Sequence, residues 1–278
     1  MEVGGERYAQ TGSTWEELPD NEIQIWHARP SETCAPELRI LSKEERRRAD
    51  GFRSGRQRHA YIVTRALVRT VLSRYGPVSP SEWQFTNNAY GKPMIAAPPN
   101  ARDLRFSVSH TKDLVACGVA VRREMGIDVE SLEHPNLGLR LAERFFSPAE
   151  ASDLRSLPAW RTKFFEYWTL KEAYIKARGM GLYLPVNRLN FDLTNPRDIR
   201  VSFAPPLRDF PEALRFQMLY HLPGCLMALA FRVARKERIL VRMGRATPPF
   251  FGRLAACGSH ESPRAKFRES AAIALDGP

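Results

Sequence analysis

Glu172 and Lys176 stand four residues apart in the run 164–184, FFEYWTLKEAYIKARGMGLYL. On a helix that spacing puts a carboxylate and an ammonium on one face. Fixed side by side against an apolar wall, such a pair can hold a metal, move a proton or balance a phosphate. The competing reading is an ordinary ion pair on a solvated helix face, a common helix stabiliser. Phe165, Trp168, Ala173 and Ile175 supply apolar flanks, and Gly179 and Gly181 free the backbone to end the helix and turn.

Three upstream segments carry further chemistry. In GIDVE (126–130) strand alternation sends Asp128 and Glu130 to one face while Ile127 and Val129 turn to the core. Two carboxylates held together on a strand repel, and a divalent cation relieves that cost. Mg²⁺ is typically bound by a pair of carboxylates together with phosphates and water, and Glu172 can complete a three-carboxylate set. A solvated strand end is the alternative for the DxE taken alone.

FSVSH (106–110) ends a strand with Ser109 and His110, a hydroxyl and an imidazole that can both bond a phosphate oxygen. A serine-nucleophile reading is weaker, because adjacent Ser and His rarely reach triad geometry and no GxSxG elbow is present. A structural histidine is the plain alternative. A basic band follows from Arg46, Arg47, Arg48, Arg53, Arg56, Arg58, Arg65 and Arg69, with Lys92 downstream in AYGKP. Arginine forks pair bidentately with phosphate, and positions 58, 65 and 69 fall near one helical stripe. For most of these arginines singly, a solvated basic face is the competing reading.

The elements that must position these groups are legible from pattern. Residues 1–20 read as a loose leader without an apolar h-region, which predicts no secretory signal. Residues 23–28 alternate as a strand. Ser42 with Glu45 forms a capping box for a helix over 41–48, and a second helix runs over 56–75. Short strands are expected at 83–86, 92–95, 104–108, 115–121 and 125–129. Ser147, Pro148 and Glu150 mark a fresh helix start after a helical stretch at 137–146. Strands at 190–193, 199–203, 216–221 and 225–233 follow. This is an α+β arrangement in two successive groups: an N-terminal half at 21–120 and a C-terminal half at 121–240. From 241 to 278 proline, glycine and serine among scattered charges predict a disordered tail.

The chain has 278 residues, 43% of them hydrophobic, enough for one large or two modest domains. Its formal charge of +11 favours anionic partners. The four cysteines, Cys34, Cys117, Cys225 and Cys257, form no CxxC pair, so reduced thiols in a cytoplasmic protein are expected rather than zinc. The longest apolar runs are too short to span a bilayer.

Taken in order, AYGKP (89–93), FSVSH, GIDVE, RFFSPAE (144–150) and WTLKEAYIKARGMGL (168–182) resemble the Sfp-type 4′-phosphopantetheinyl transferases over residues 22–232. The resemblance implies a pseudo-dimer of two similar α/β halves, each a small antiparallel sheet packed with helices, with coenzyme A in the cleft between them. It implies Mg²⁺-dependent transfer of the 4′-phosphopantetheine arm of coenzyme A to a serine of an apo acyl or peptidyl carrier protein, releasing adenosine 3′,5′-bisphosphate. By matched motif, Asp128, Glu130 and Glu172 hold Mg²⁺. Ser109 and His110 contact the coenzyme phosphates, with Lys92 and Arg48, Arg53 and Arg58 at the nucleotide end. Lys176 neutralises the pyrophosphate, and Glu172 is the leading base for the carrier serine, with Glu130 or a water as the alternative. His27 and His59 read as structural. A monomer acting on acidic carriers, without nucleic acid or membrane partners, is expected. Two rivals stand beside it: a non-catalytic basic module that binds RNA or an acidic partner, and a hydrolase using Ser109 and His110.

Overall fold

The computed structural model of this chain describes residues 16–32, 38–76, 78–101, 103–133, 139–219, 223–246 and 254–259. Strand β1 (Glu22–Ala28) leads to helices α1 (Lys43–Asp50) and α2 (Gly55–Arg74). A hairpin of β2 (Gln84–Asn87) and β3 (Pro93–Ala97) follows, then β4 (Leu104–His110) and β5 (Val115–Val121). After β6 (Met125–Ser131) come α3 (Leu139–Phe145), α4 (Pro148–Ser156) and α5 (Trp160–Arg178). The hairpin β7 (Leu189–Asp192)–β8 (Arg200–Phe203), β9 (Leu214–Leu219), β10 (Cys225–Arg232), β11 (Leu240–Arg245) and β12 (Leu254–Ser259) complete the described elements.

Local signals set the helix starts. Ser42 caps α1 and Ser147 caps α4, and each accepts from the amide three residues on while Glu45 or Glu150 reaches back to the cap amide. At its other end α5 stops on Gly179, whose φ of 65° is left-handed.

One sheet has the order β12-β11-β1-β5-β4 and a second the order β6-β10-β9. In chain order β1, α2, the separate hairpin β2–β3 and the pair β4–β5 correspond to β6, α5, the separate hairpin β7–β8 and the pair β9–β10, so β1-β5-β4 and β6-β10-β9 share one plan. The two sheets meet through Ile23, Ile25, Ala116, Met125, Ile127, Val129, Met227, Leu229 and Phe231, all buried in one apolar cluster. Burying a side chain of this size contributes roughly 1.5–3 kcal/mol. On the outer face of the second sheet α5 packs Phe165, Leu170, Ala173, Tyr174 and Ala177 into another cluster.

Two expectations at the chain ends are corrected. Leu240–Arg245, expected to begin a disordered tail at 241, is a strand parallel to β1, with Val241 fully buried beside Ile23 and Ile25. The charged residues between its apolar ones hid that short strand, because their backbone pairs while their side chains escape. In the expected leader, Leu18 is buried against Trp26 and Tyr75, and Glu16 pairs with Arg74. Residues 1–15, 247–253 and 260–278, with the rest of the expected leader and tail, lie outside the described residues. Among the described residues no helix is long and apolar enough to cross a membrane.

Candidate active site

Strand β6 and helix α5 meet at unusually short range because of one glycine. A Cβ placed on Gly126 would lie 2.1 Å from the carbonyl oxygen of Ala173 and 2.3 Å from the amide of Ala177. The helix backbone therefore rests directly on the strand, and the side chains that flank the contact are brought face to face. Asp128 and Glu130 point to α5, while Ile127 and Val129 enter the core between the sheets, as the alternation requires.

The ammonium of Lys176 crosses from α5 to the strand and lies 2.6 Å from Asp128 Oδ1. The helix-face pairing of Glu172 with Lys176 thus gives way to a contact between two elements. Ser109 completes the junction. Its hydroxyl donates to Asp128 Oδ1 at 2.9 Å, and its oxygen accepts from Lys176 Nζ at 2.8 Å and from the Val129 amide at 3.2 Å. Ser107, two residues earlier, accepts from the Ile127 amide at 3.0 Å. The two serines of FSVSH match the two-residue repeat of β6 and tie the halves of the chain together through hydroxyls.

Asp128 is 3% exposed, and its Oδ2 is buried with no hydrogen-bond partner. Glu130 accepts from the indole N–H of Trp168 at 2.8 Å, and Trp168 in turn stacks on Phe164. Burial, then the charge of Asp128, pushes the Glu130 carboxyl up to about 7. The same two causes in the same order raise Glu172, with Lys176 acting against them. Three carboxylates thus share a poorly solvated place with one cation. As the side chains stand, no three His, Cys, Asp or Glu among the described residues are grouped to hold a metal ion. The donor set nevertheless fits a hard divalent cation: an unpartnered buried oxygen on Asp128, and two neighbouring carboxylates whose charge is unfavourable alone.

Two clefts flank this wall of charge. One, of about 590 Å³, is lined by Phe52, Arg56, Tyr61, His110, Lys112 and Glu130. The other, of about 370 Å³, is lined by Tyr90, Lys92, Phe106, Glu172, Lys176 and Leu182. His110 closes β4 at the mouth of the larger cleft. Desolvation on its inner side, then the Lys176 charge, holds its imidazole below the usual histidine range.

The basic band divides. Arg48 is exposed and lies over the Tyr61 ring at 5.7 Å, Arg53 is exposed, and Arg58 pairs with Asp50 at 2.8 Å. Arg65 and Arg69, expected on the same phosphate-facing stripe, are instead held on the buried carboxylate of Glu45. Arg69 also donates to the carbonyls of Pro80 and Trp83, so this pair fixes α2 to α1 and to the loop before β2. Lys92, expected at the nucleotide end, spends its ammonium on the carbonyls of Ala177 and Met125 at 3.1 and 3.3 Å, and burial brings it down to about 8. Ser109, expected on a coenzyme phosphate, has its hydroxyl committed to Asp128. That geometry also removes support from the hydrolase reading, since the Ser109 proton does not point to His110.

Lys171 and Glu150 form a buried ion pair at 2.8 Å, each side chain 1% exposed, and Lys171 also donates to Val186 and Leu189 carbonyls. The motifs RFFSPAE and WTLKEAYIK are therefore linked as structure. His59 contacts the Pro30 carbonyl, in keeping with a structural role. Phe52, Tyr61, Lys112 and the indole of Trp168 were missed as site residues. Phe52 and Tyr61 punctuate the arginine band, and that interleaving was the available signal.

Two family models cover most of the described chain. Residues 124–229 match the 4′-phosphopantetheinyl transferase superfamily and residues 24–121 match "4'-phosphopantetheinyl transferase, N-terminal". The 4′-phosphopantetheinyl transferase HetI of Nostoc sp. is 32% identical over 203 residues, which is 69% of this chain and 85% of that protein. The 4′-phosphopantetheinyl transferase Sfp of Bacillus subtilis is 32% identical over 171 residues, 61% of this chain and 73% of that protein. A Thermotoga maritima holo-[acyl-carrier-protein] synthase overlaps 43% of this chain and 67% of its own at TM-score 0.34 and 22% identity, a likeness too slight to carry weight. With its charged β6–α5 junction and these relatives, the chain belongs to the 4′-phosphopantetheinyl transferase superfamily and is a transferase enzyme.

Proposed function

We propose that this protein moves the 4′-phosphopantetheine arm of coenzyme A onto a serine of an apo carrier protein in a Mg²⁺-dependent reaction. The observation that carries this reading is the convergence of Asp128, Glu130, Glu172 and Lys176 at the β6–α5 contact, with Asp128 Oδ2 left open. Asp128, Glu130 and Glu172 are the residues that would hold the cation, which when bound would offset the charge of the coenzyme pyrophosphate.

In the reaction the carrier serine oxygen bonds to the phosphorus that bears the pantetheine arm. The bond from that phosphorus to the bridging pyrophosphate oxygen breaks, and adenosine 3′,5′-bisphosphate leaves with the electron pair. Glu172 takes the serine proton where it is not engaged by the cation, and Glu130 or a water takes it where Glu172 is a ligand. Lys176 balances the departing phosphate. Such a transfer needs positioning and charge neutralisation more than covalent help.

His110, Arg48, Arg53 and Arg58 serve the nucleotide end, in or beside the larger cleft with Arg56 and Lys112. The shared plan of β1-β5-β4 and β6-β10-β9 supports two repeated halves, a pseudo-dimer with the coenzyme between them. A net charge of +11 would steer acidic carriers. We place the protein in the cytoplasm as a monomer, with neither nucleic acid nor membrane as partner. Incubation with coenzyme A, Mg²⁺ and an apo carrier should release one adenosine 3′,5′-bisphosphate per carrier modified. Salt-sensitive RNA binding without affinity for coenzyme A would favour the basic-module rival instead.

A further inference from the structure

Helix α5 carries Glu172 and Lys176, yet its C-terminal end is held from the other half of the chain. The last carbonyls of a helix have no partner within it and must find donors elsewhere. Lys92 Nζ donates to the Ala177 carbonyl, and Asn88 Nδ2 donates to the Gly179 carbonyl at 2.7 Å. The Asn88 side-chain oxygen accepts from the amides of Tyr90 and Lys92, each at 2.9 Å, so the tip of the β2–β3 hairpin is braced before it reaches the helix. Tyr90 rests edge-on against Tyr183 at 5.4 Å, just beyond the cap.

The fit is flush. A Cβ on Gly179 would lie 2.7 Å from Lys92 Cδ and 3.2 Å from Asn88 Nδ2. Lys92 has a second reach, to the Met125 carbonyl at the start of β6. It therefore joins the two elements whose separation sets the contact of Lys176 with Asp128: the last turn of α5 and the first residue of β6.

We infer that Asn88 and Lys92 are positioning residues that clamp the end of α5 onto β6 and so fix Lys176 over Asp128. Lys92 does this through backbone carbonyls rather than by holding a coenzyme phosphate. The kinetic consequence rests on the transfer reading above, and the structural consequence does not.

Asn88→Ala and Lys92→Met separate the two roles, because Asn88 carries no charge to offer a phosphate. Each variant is read by coenzyme A affinity in calorimetry, by kcat on an apo carrier with Mg²⁺, and by hydrogen exchange of the α5 amides in its last turn. Both variants should lower kcat by about tenfold or more, since a misplacement of about 1 Å can cost about a hundredfold. Coenzyme A affinity should stay within about threefold, and the double variant should lose clearly less than the product of the two single losses. Exchange in the last turn of α5 should quicken in both. A loss of coenzyme A affinity of about tenfold in Lys92→Met, with normal kcat in Asn88→Ala, would make Lys92 a phosphate ligand and overturn the clamp. Unchanged exchange in both variants would overturn it as well. Failure of the unaltered protein to modify any carrier would sink the transfer reading and leave the exchange result standing.

Discussion

The hydroxyl of Ser109 donates to Asp128 Oδ1 across 2.9 Å while its oxygen takes the Val129 amide and the Lys176 ammonium. Every bonding capacity of that hydroxyl is used to hold a strand, a carboxylate and a helix in register. Ser109 is in this sense the keystone between β4, β6 and α5, and its role is one of position.

Ser109→Ala therefore leaves the buried Val129 amide without its acceptor, and leaves Asp128 Oδ1 with Lys176 but without its hydroxyl donor. Stability should fall by about 1–3 kcal/mol in chemical denaturation. Transfer should slow by about tenfold to a hundredfold and persist, because the geometry loosens while the charges remain. Complete loss of activity in a folded variant would point to the nucleophilic serine of the hydrolase reading.

Gly126→Ala tests the close approach of α5 to β6. The added methyl meets three atoms of helix backbone, of Ala173, Lys176 and Ala177, and no flexible side chain can yield there. The variant should lose more than about 3 kcal/mol or fail to accumulate as soluble protein. A stability within about 1 kcal/mol of the parent would show that the helix is free to lift away.

Removing one partner of the buried pair Lys171–Glu150 strands a charge. Lys171→Met should cost about 3–5 kcal/mol by denaturant titration. Coenzyme A affinity of the folded variant should be unchanged, since neither residue lines either of the two clefts described above. Weakened coenzyme binding at normal stability would reassign Lys171 to the substrate.

The raised carboxyl of Glu130 has a signed consequence. Between the ordinary value of 4.5 and about 7, the folded metal-free protein holds more protons at this position than the unfolded chain. The stability this group contributes is complete below that window and is lost as pH rises through it. A divalent cation needs the deprotonated carboxylate, so its stabilising effect should be small at the acid end and grow towards neutrality and above. Thermal unfolding with and without Mg²⁺ across this range checks the trend, and a metal effect independent of pH would contradict it.

Much of the site could be read from the chain because its geometry is local. Period two places Asp128 and Glu130 together, period 3.6 brings Glu172 and Lys176 to one face, and Ser42 and Ser147 announce their helices. What escaped reading depends on contacts between distant segments. Glu45 captures Arg65 and Arg69 from 20 and 24 residues away, so two of the three arginines of an apparent phosphate stripe became scaffold. Lys92 found carbonyls 33 and 85 residues on, and no local pattern encodes a lysine that caps a helix of the other half. Leu240–Arg245 became a core strand because β1 offered a free edge, a fact of topology that composition cannot reveal.

The intact mass of an apo carrier, after incubation with coenzyme A, Mg²⁺ and either the unaltered protein or Asp128→Asn, tests the role of the β6–α5 junction in transfer. Asp128→Asn keeps the shape of the side chain and removes the charge that Lys176 and the cation require. The unaltered protein should add one phosphopantetheine arm per carrier serine, and the folded variant none. Equal mass gain with both proteins would contradict that role.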